Sequence, residues 1–573
     1  MRSWIIAVVL ALAACERPDG GASAAGPTDE GLVVAAHPLA SEAGVEILRA
    51  GGSAVDAAVA VEAVLGLVEP QSSGLGGGGF LLHYDSETRT ITAYDGREVA
   101  PMAATPELFL DASGEPLPFL AAKNSGLSIG VPGVVDMLAL AHEDHGRLPW
   151  AELFEPARRH ASEGFAVTPR LNGLIAFAAN FGLKASPATE RYFFTSQERP
   201  LPVGAILRNP AYAETVTAIA VDPRALYEGP LAAAIVEAAQ AGADGGALSL
   251  DDLARYEARK LDPICAPYRA YTVCGPPLPS AGAVSVNEIM GVLAHFEFDA
   301  AGADAPSNWA LFADAQRLAY ADWGAHIGDD RFVAVPLHGL LSPEYLAARA
   351  AEVAAARPLA DARPGDPWAF EPGASPTRHG ADATHDAPGT SHFVVVDAEG
   401  DVVAMTASVE SAFGSTRMAG GMILNNQLTD FSFRPVDRAG APAANAVAPG
   451  KAPRSSMSPT IVLDADGGFL FATGSPGGAS IIAYTAKTLI GVLDWGLTPQ
   501  QAVDLPNLVA RGDTVRVESA RALPGMIDAL RALGYDVQES AGETSGLHAV
   551  LRRPDGTFEA GVDPRREGVA LVP

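Results

Sequence analysis

The segment Gly389-Thr390-Ser391-His392-Phe393-Val394-Val395-Val396-Asp397 follows a polar, Pro/Gly-rich run and opens a run of β-branched residues. Cutting the Gly389–Thr390 bond would make Thr390 the amino-terminal residue of a buried strand. Such a threonine carries a nucleophile, its hydroxyl, and a general base, its own α-amine, on one framework. An α-amine with a pKa of about 8 titrates near working pH, which suits proton abstraction from an otherwise inert alcohol. Glycine before the bond tolerates strained backbone and leaves the carbonyl open to attack. An isolated Gly-Thr would be an ordinary loop-to-strand junction; the residues downstream overturn that reading.

Those residues are Ser408, Glu410, Phe413-Gly414-Ser415, Asn425 to Ser432, Gly450 to Thr460, and Thr473-Gly474-Ser475-Pro476-Gly477-Gly478. The first half adds Gly51 to Ala58, Pro70 to Phe80, Arg97 to Pro101 and Gly130-Val131-Pro132-Gly133. With every block in family order from about Gly31 to the C-terminus, the chain resembles the γ-glutamyltransferase family, a branch of the N-terminal-nucleophile hydrolases. The resemblance implies an α+β fold, the four-layer αββα sandwich. It also implies self-cleavage into a large subunit, 31–389, and a small one, 390–573, that stay together as a heterodimer. The small subunit's Thr390 would attack a γ-glutamyl amide such as glutathione, and water or an amino-acid or peptide amine would resolve the acyl-enzyme. No cofactor is expected.

Carried over residue by residue, Gly477 and Gly478 match the oxyanion-hole pair, whose donors are each worth roughly 3 kcal/mol of barrier. Arg97, Ser455 and Ser456 match the groups that hold the substrate α-carboxylate, and arginine suits a planar bidentate contact. Asp430 matches the partner of the α-ammonium, with Gln427 nearby. Three departures stand out. Ser408 replaces the threonine that bonds the nucleophilic hydroxyl in well-known members, losing the methyl that restrains its rotamer. Glu410 stands where those members carry asparagine, putting a second carboxylate beside Asp430. The loop Phe433 to Ala444 is short and has no aromatic beyond Phe433, which predicts a more open site with room for bulkier acyl groups. Glu410 and this loop favour a rival reading, an acylase for glutaryl-type groups; Arg97, Asp430, Ser455 and Ser456 together oppose it. An uncleaved peptide-binding surface lipoprotein is the non-enzyme alternative.

The 573 residues are 48% hydrophobic and 19% charged, a globular composition, and the net charge of −29 excludes a phosphate-backbone binder. Residues 1–14 read as an export signal: Arg2, then an apolar run too short to span a bilayer. Leu12-Ala13-Ala14-Cys15 resembles a bacterial lipobox, which would lipidate Cys15 and leave 15–30 as a flexible tether. The expected location is the periplasm, with membrane contact through the lipid alone and the outer membrane favoured by Glu16. In that oxidising compartment Cys265 and Cys274 could form a disulfide; two buried free thiols are the alternative. His379, Asp382, His385, Asp386 and His392 lack a recognised ligand spacing, and no metal is expected.

Ser53 with Asp56 reads as a capping box opening a helix to Leu67, apolar nearly all round and so buried between layers; Gly51-Gly52 ends the helix before it. Phe80 to Tyr94 reads as a hairpin. Helices are expected at 149–163, 231–241, 285–295 and 308–325, and strand pairs at 390–407 and 460–473. The second half of 357–389, without periodicity, reads as a mobile loop.

Overall fold

The computed structural model describes residues 26, 28–354, 357–373, 377–385, 389–542 and 544–573. The signal, Cys15 and most of the tether lie outside them, as does Asp386. Two antiparallel sheets stack face to face. One has seven strands, in the order Val569–Leu571, Leu32–Ala35, Thr390–Val396, Val402–Ser408, Gly78–Asp85, Thr90–Gly96 and Arg259–Leu261. The other has six: Phe558–Val562, His548–Arg552, Phe469–Gly474, Thr460–Leu463, Tyr271–Gly275 and Ile264–Tyr268.

Strand alternation decides which residue faces which layer. Val394, Val396, Val402 and Ala404 point between the sheets, against Ile461, Ala472 and Val550. Their neighbours Phe393, Val395, Val403 and Met405 point outward, into a core shared with the helices Pro38–Arg49 and Ala54–Val68. The opposite outer layer is formed by Gly282–Leu293, Pro306–His326 and Ile481–Leu493. The result is the αββα sandwich. The Ser53–Asp56 capping box is present, and all fifteen residues of Ala54–Val68 are buried, Asp56 and Glu62 being the two that are not apolar. The hairpins and helices expected from the sequence form within a few residues of their expected bounds.

Cys265 and Cys274 oppose each other across the hairpin Ile264–Tyr268/Tyr271–Gly275 and are joined as a disulfide, their Cα atoms 4.1 Å apart. The bridge closes a loop of nine-residue separation at a sheet edge. Closing so short a loop stabilises by about 2–3 kcal/mol on chain-entropy grounds. Cys265→Ser with Cys274→Ser should therefore lower the thermal midpoint by a few degrees while leaving activity in place. An unchanged midpoint would mean that the bridge does not form in the protein.

Candidate active site

The hairpin that carries Thr390 also delivers its partner. Thr390 begins one strand, Ser408 ends the next, and the antiparallel register sets them directly opposite. The Thr390 hydroxyl donates to Ser408 Oγ at 3.2 Å, and the Ser408 hydroxyl donates to the Gly389 carbonyl at 2.6 Å. The Glu410 backbone N–H, at 2.8 Å, holds Ser408 Oγ from the other side. A relay thus runs from the hydroxyl, through Ser408, to the carbonyl before the Thr390 nitrogen. Gly389 is wedged here: a Cβ on it would lie 2.1 Å from Glu410 O. No other residue fits without moving that loop.

Around Thr390 opens a narrow cleft lined by Arg97, Ser408, Glu410, Gln427, Asp430, Ser455, Ser456 and Gly478. Residues more than three hundred positions apart in sequence meet in it. Gly477 abuts it through Gly478, with φ of +142° and the Tyr484 ring 2.6 Å from where a Cβ would stand. That conformation and contact leave room only for glycine.

Arg97 follows the strand Thr90–Gly96 and is 2% exposed. Its Nε donates to Pro453 O at 3.0 Å, and its Nη2 donates to Arg454 O at 3.0 Å and to Asp430 Oδ2 at 2.6 Å. Gln427 Nε2 donates to the same Asp430 oxygen at 2.8 Å. Arg97 Nη1 is buried without a hydrogen-bond partner. Arg97 and Asp430 thus neutralise each other across the cleft.

Glu410 is buried, at φ +78°, in a left-handed conformation that side chains seldom adopt. One carboxyl oxygen accepts from Ser411 Oγ and from Asn426 Nδ2; the other has no partner. Burial, and then the neighbouring Asp430 charge, push its pKa well above the carboxylate range. Glu98 is raised to about 8 by burial, against the pull of Arg97. Burial thus disfavours the charged form of Glu410 beside Asp430.

The segment 377–385 differs from its expected mobility. Asp382 pairs with Arg454, Thr384 Oγ1 donates to Asp430 O at 3.3 Å, and Ala383 N donates to Ser432 Oγ at 3.0 Å. Thr384 lines the cleft, and the His385 ring packs against Phe119 and Phe433. The short Phe433–Ala444 loop is anchored near both ends. Phe433 is buried on Phe109, and Pro442 O receives the Gly380 N–H. Local periodicity could not show these anchors, because each is a contact with a residue distant in sequence. Asp382 is committed to Arg454 and His392 Nδ1 to Thr406, and the described residues hold no group of three metal-ligand side chains.

Sequence reasoning missed Arg566. Buried, it donates from Nη1 to Thr390 O at 2.8 Å, from Nε to Ser545 O and from Nη2 to Thr544 O. It clamps the first residue of the strand, 176 positions away in sequence. Arg566→Ala should slow cleavage of the precursor by more than about tenfold, since losing a charged donor leaves buried carbonyls unpaired. A time course of band splitting checks this; Arg566→Lys should recover part of the rate.

Fold and site together define the N-terminal-nucleophile hydrolase class. The family model for gamma-glutamyltranspeptidase matches residues 40–572. The glutathione hydrolase proenzyme of Bacillus subtilis (strain 168) is 33% identical over 548 residues, covering 95% of this chain and 91% of its own. That of Escherichia coli (strain K12) is 34% identical over 555 residues, covering 94% and 90%. Among solved structures, the cephalosporin acylase from Bacillus halodurans superposes with a TM-score of 0.84 at 26% identity, covering 98% of this chain and 99% of that one. The chain belongs to the gamma-glutamyltranspeptidase family and is an enzyme.

Proposed function

We propose that this protein is an autoprocessing γ-glutamyltransferase and glutathione hydrolase whose nucleophile is Thr390. The observation that carries the proposal is the zwitterion clamp: Arg97 and Asp430 share one cleft with Thr390, Ser408, Ser455 and Ser456.

In the first step Thr390 Oγ bonds to the Gly389 carbonyl carbon. Its proton passes through Ser408 to the carbonyl oxygen, along the two hydrogen bonds already present. The C–N bond then breaks as the nitrogen takes a proton, leaving an ester. That step frees the Thr390 α-amine; water then hydrolyses the ester, releasing the Gly389 carboxylate and returning a proton to Oγ. The halves remain one body, because Leu32–Ala35 of the large subunit pairs on both edges with small-subunit strands, Thr390–Val396 and Val569–Leu571.

In turnover the free amine takes the Oγ proton while Oγ attacks a γ-glutamyl amide, and then gives that proton to the leaving amine. Gly477 and Gly478 donate to the oxyanion. Arg97, with Ser455 and Ser456, receives the substrate α-carboxylate, and Asp430 the α-ammonium; the substrate takes over the ion pair that these groups make with each other. Gln427 holds Asp430, and Glu410 is the second ammonium acceptor. Export and a lipid on Cys15 would put this chemistry in the periplasm.

The likeness to a cephalosporin acylase and the presence of Glu410 beside Asp430 favour one second reading, an acylase for glutaryl-type groups. Side-by-side turnover separates them. Glutathione should be the better substrate by kcat/KM, and a preference for a glutaryl amide would promote the acylase reading.

A further inference from the structure

Glu410 lacks one partner. Its Oε2 accepts from Ser411 Oγ and Asn426 Nδ2, both neutral donors, while its Oε1 is buried with no hydrogen-bond partner. It makes no ion pair among the described residues, and the nearby guanidinium of Arg97 is paired with Asp430. A carboxyl group in this position needs a positive charge close by before it can ionise.

Behind the cleft wall, at the end of the short helix Phe119–Lys123, stands a cation with the opposite deficit. Lys123 is 5% exposed, and of its three N–H donors only one is placed, on Asn124 Oδ1 at 3.2 Å. It too makes no ion pair among the described residues. The wall between them is thin. Ser411 and Gly389 line the same space as Lys123, whereas their chain neighbours Glu410 and Thr390 line the cleft. The other cations of that space are committed: Arg170 and Arg566 lie near Glu69, and Arg565 pairs with Glu518 and Asp563. Lys123 is thus the cation left to answer Glu410. Each group feels the other. Burial brings the Lys123 pKa down to about 8, against the pull of Glu410. Burial and then the Asp430 charge push Glu410 up, against its two hydrogen bonds and the charge of Lys123.

We propose that Lys123 is a positioning residue that acts through Glu410: its ammonium, held behind the wall, favours Glu410 as the carboxylate that receives the substrate α-ammonium, and so sharpens the choice of γ-glutamyl over glutaryl-type groups. The role in recognition rests on the γ-glutamyl-Thr390 reading. A substrate ammonium gains from Glu410 only when Glu410 has given its proton to solvent. Every pKa unit by which that carboxyl lies above working pH costs up to tenfold in affinity, and a nearby positive charge recovers part of that loss. Lys123 does not line the cleft itself, so an arriving ammonium meets Glu410 before it meets the cation. Glutaryl-type groups carry no ammonium and draw nothing from this arrangement.

Two measurements on the processed enzyme test this. With glutathione as substrate, Lys123→Met should raise KM by about fivefold to tenfold, the equivalent of nearly one pKa unit at Glu410, while kcat stays within about twofold. Lys123→Arg, which keeps the charge, should restore most of the loss. Inhibition by L-glutamate should weaken by the same factor in Lys123→Met, and inhibition by glutarate by less than about twofold. In a Glu410→Gln background, adding Lys123→Met should change KM no further, because the group through which it acts is gone. The second measurement needs no substrate. The infrared carbonyl band of a protonated carboxyl that disappears in Glu410→Gln should grow at neutral pH in Lys123→Met and shrink again in Lys123→Arg. Should Lys123→Met fail to fold, Lys123→Gln is read against the same outcomes. An equal KM rise with and without Glu410, equal weakening of glutamate and glutarate, or a band indifferent to Lys123 overturns the proposal. Failure to turn over any γ-glutamyl donor would defeat the γ-glutamyl reading instead, and the infrared band would then judge the Lys123–Glu410 coupling by itself.

Discussion

Thr390→Ala should accumulate as one uncut chain with no detectable turnover of glutathione. The substitution removes the hydroxyl proposed both to attack Gly389 and to carry the acyl group, so processing and catalysis fall together. Wild-type protein should run as two fragments, of about two-thirds and one-third of the chain, with the smaller beginning Thr-Ser-His-Phe. Ser408→Ala is the informative neighbour. It leaves the nucleophile but removes the donor 2.6 Å from the Gly389 carbonyl, so cleavage should slow by about two to three orders of magnitude, as for other lost oxyanion donors. Splitting at this bond in Thr390→Ala would show that the nucleophile is assigned wrongly. So would an intact wild-type band, which would favour the uncleaved binding protein.

The second large effect lies in recognition. Asp430→Ala should reduce kcat/KM for glutathione by well over tenfold, because removing one member of a buried charge pair typically costs about 2–5 kcal/mol. A glutaryl amide lacks the ammonium and should lose far less, or gain from the removed negative charge. Arg97→Ala should weaken both substrates, since both present a carboxylate. Burial and the Asp430 charge disfavour the charged form of Glu410, which sharpens the contrast by leaving Asp430 the principal partner for an ammonium. Equal losses on the two substrates in Asp430→Ala would contradict the γ-glutamyl assignment.

What was legible in the sequence was whatever local chemistry encodes. The Ser53–Asp56 cap, the β-branched run of 390–396 and the glycines of 477–478 are readable because a cap, a strand and a tight turn each favour particular residues at short spacing. The cleft was legible only through family resemblance. Arg97 and Asp430 are 333 positions apart, and no periodicity links them. Three things could not be read at all. Arg566 clamps Thr390 through a carbonyl, which every residue type carries, so no side-chain pattern marks the contact. Glu410 reads as a charge in sequence, and the burial that disfavours that charge is a property of the fold. The stretch 377–385 has the composition of a loop but is pinned by Asp382, Ala383 and Thr384, each meeting a residue far along the chain.

The most direct test of the account is intact-mass and peptide mapping of the small subunit, acid-quenched during turnover of glutathione. The account predicts a population heavier by one glutamyl residue, with the added mass on the peptide that begins at Thr390 and absent after mild alkaline hydrolysis of the ester. An adduct on any other residue would contradict it, as would an acyl-enzyme that forms from a glutaryl amide but never from a γ-glutamyl donor.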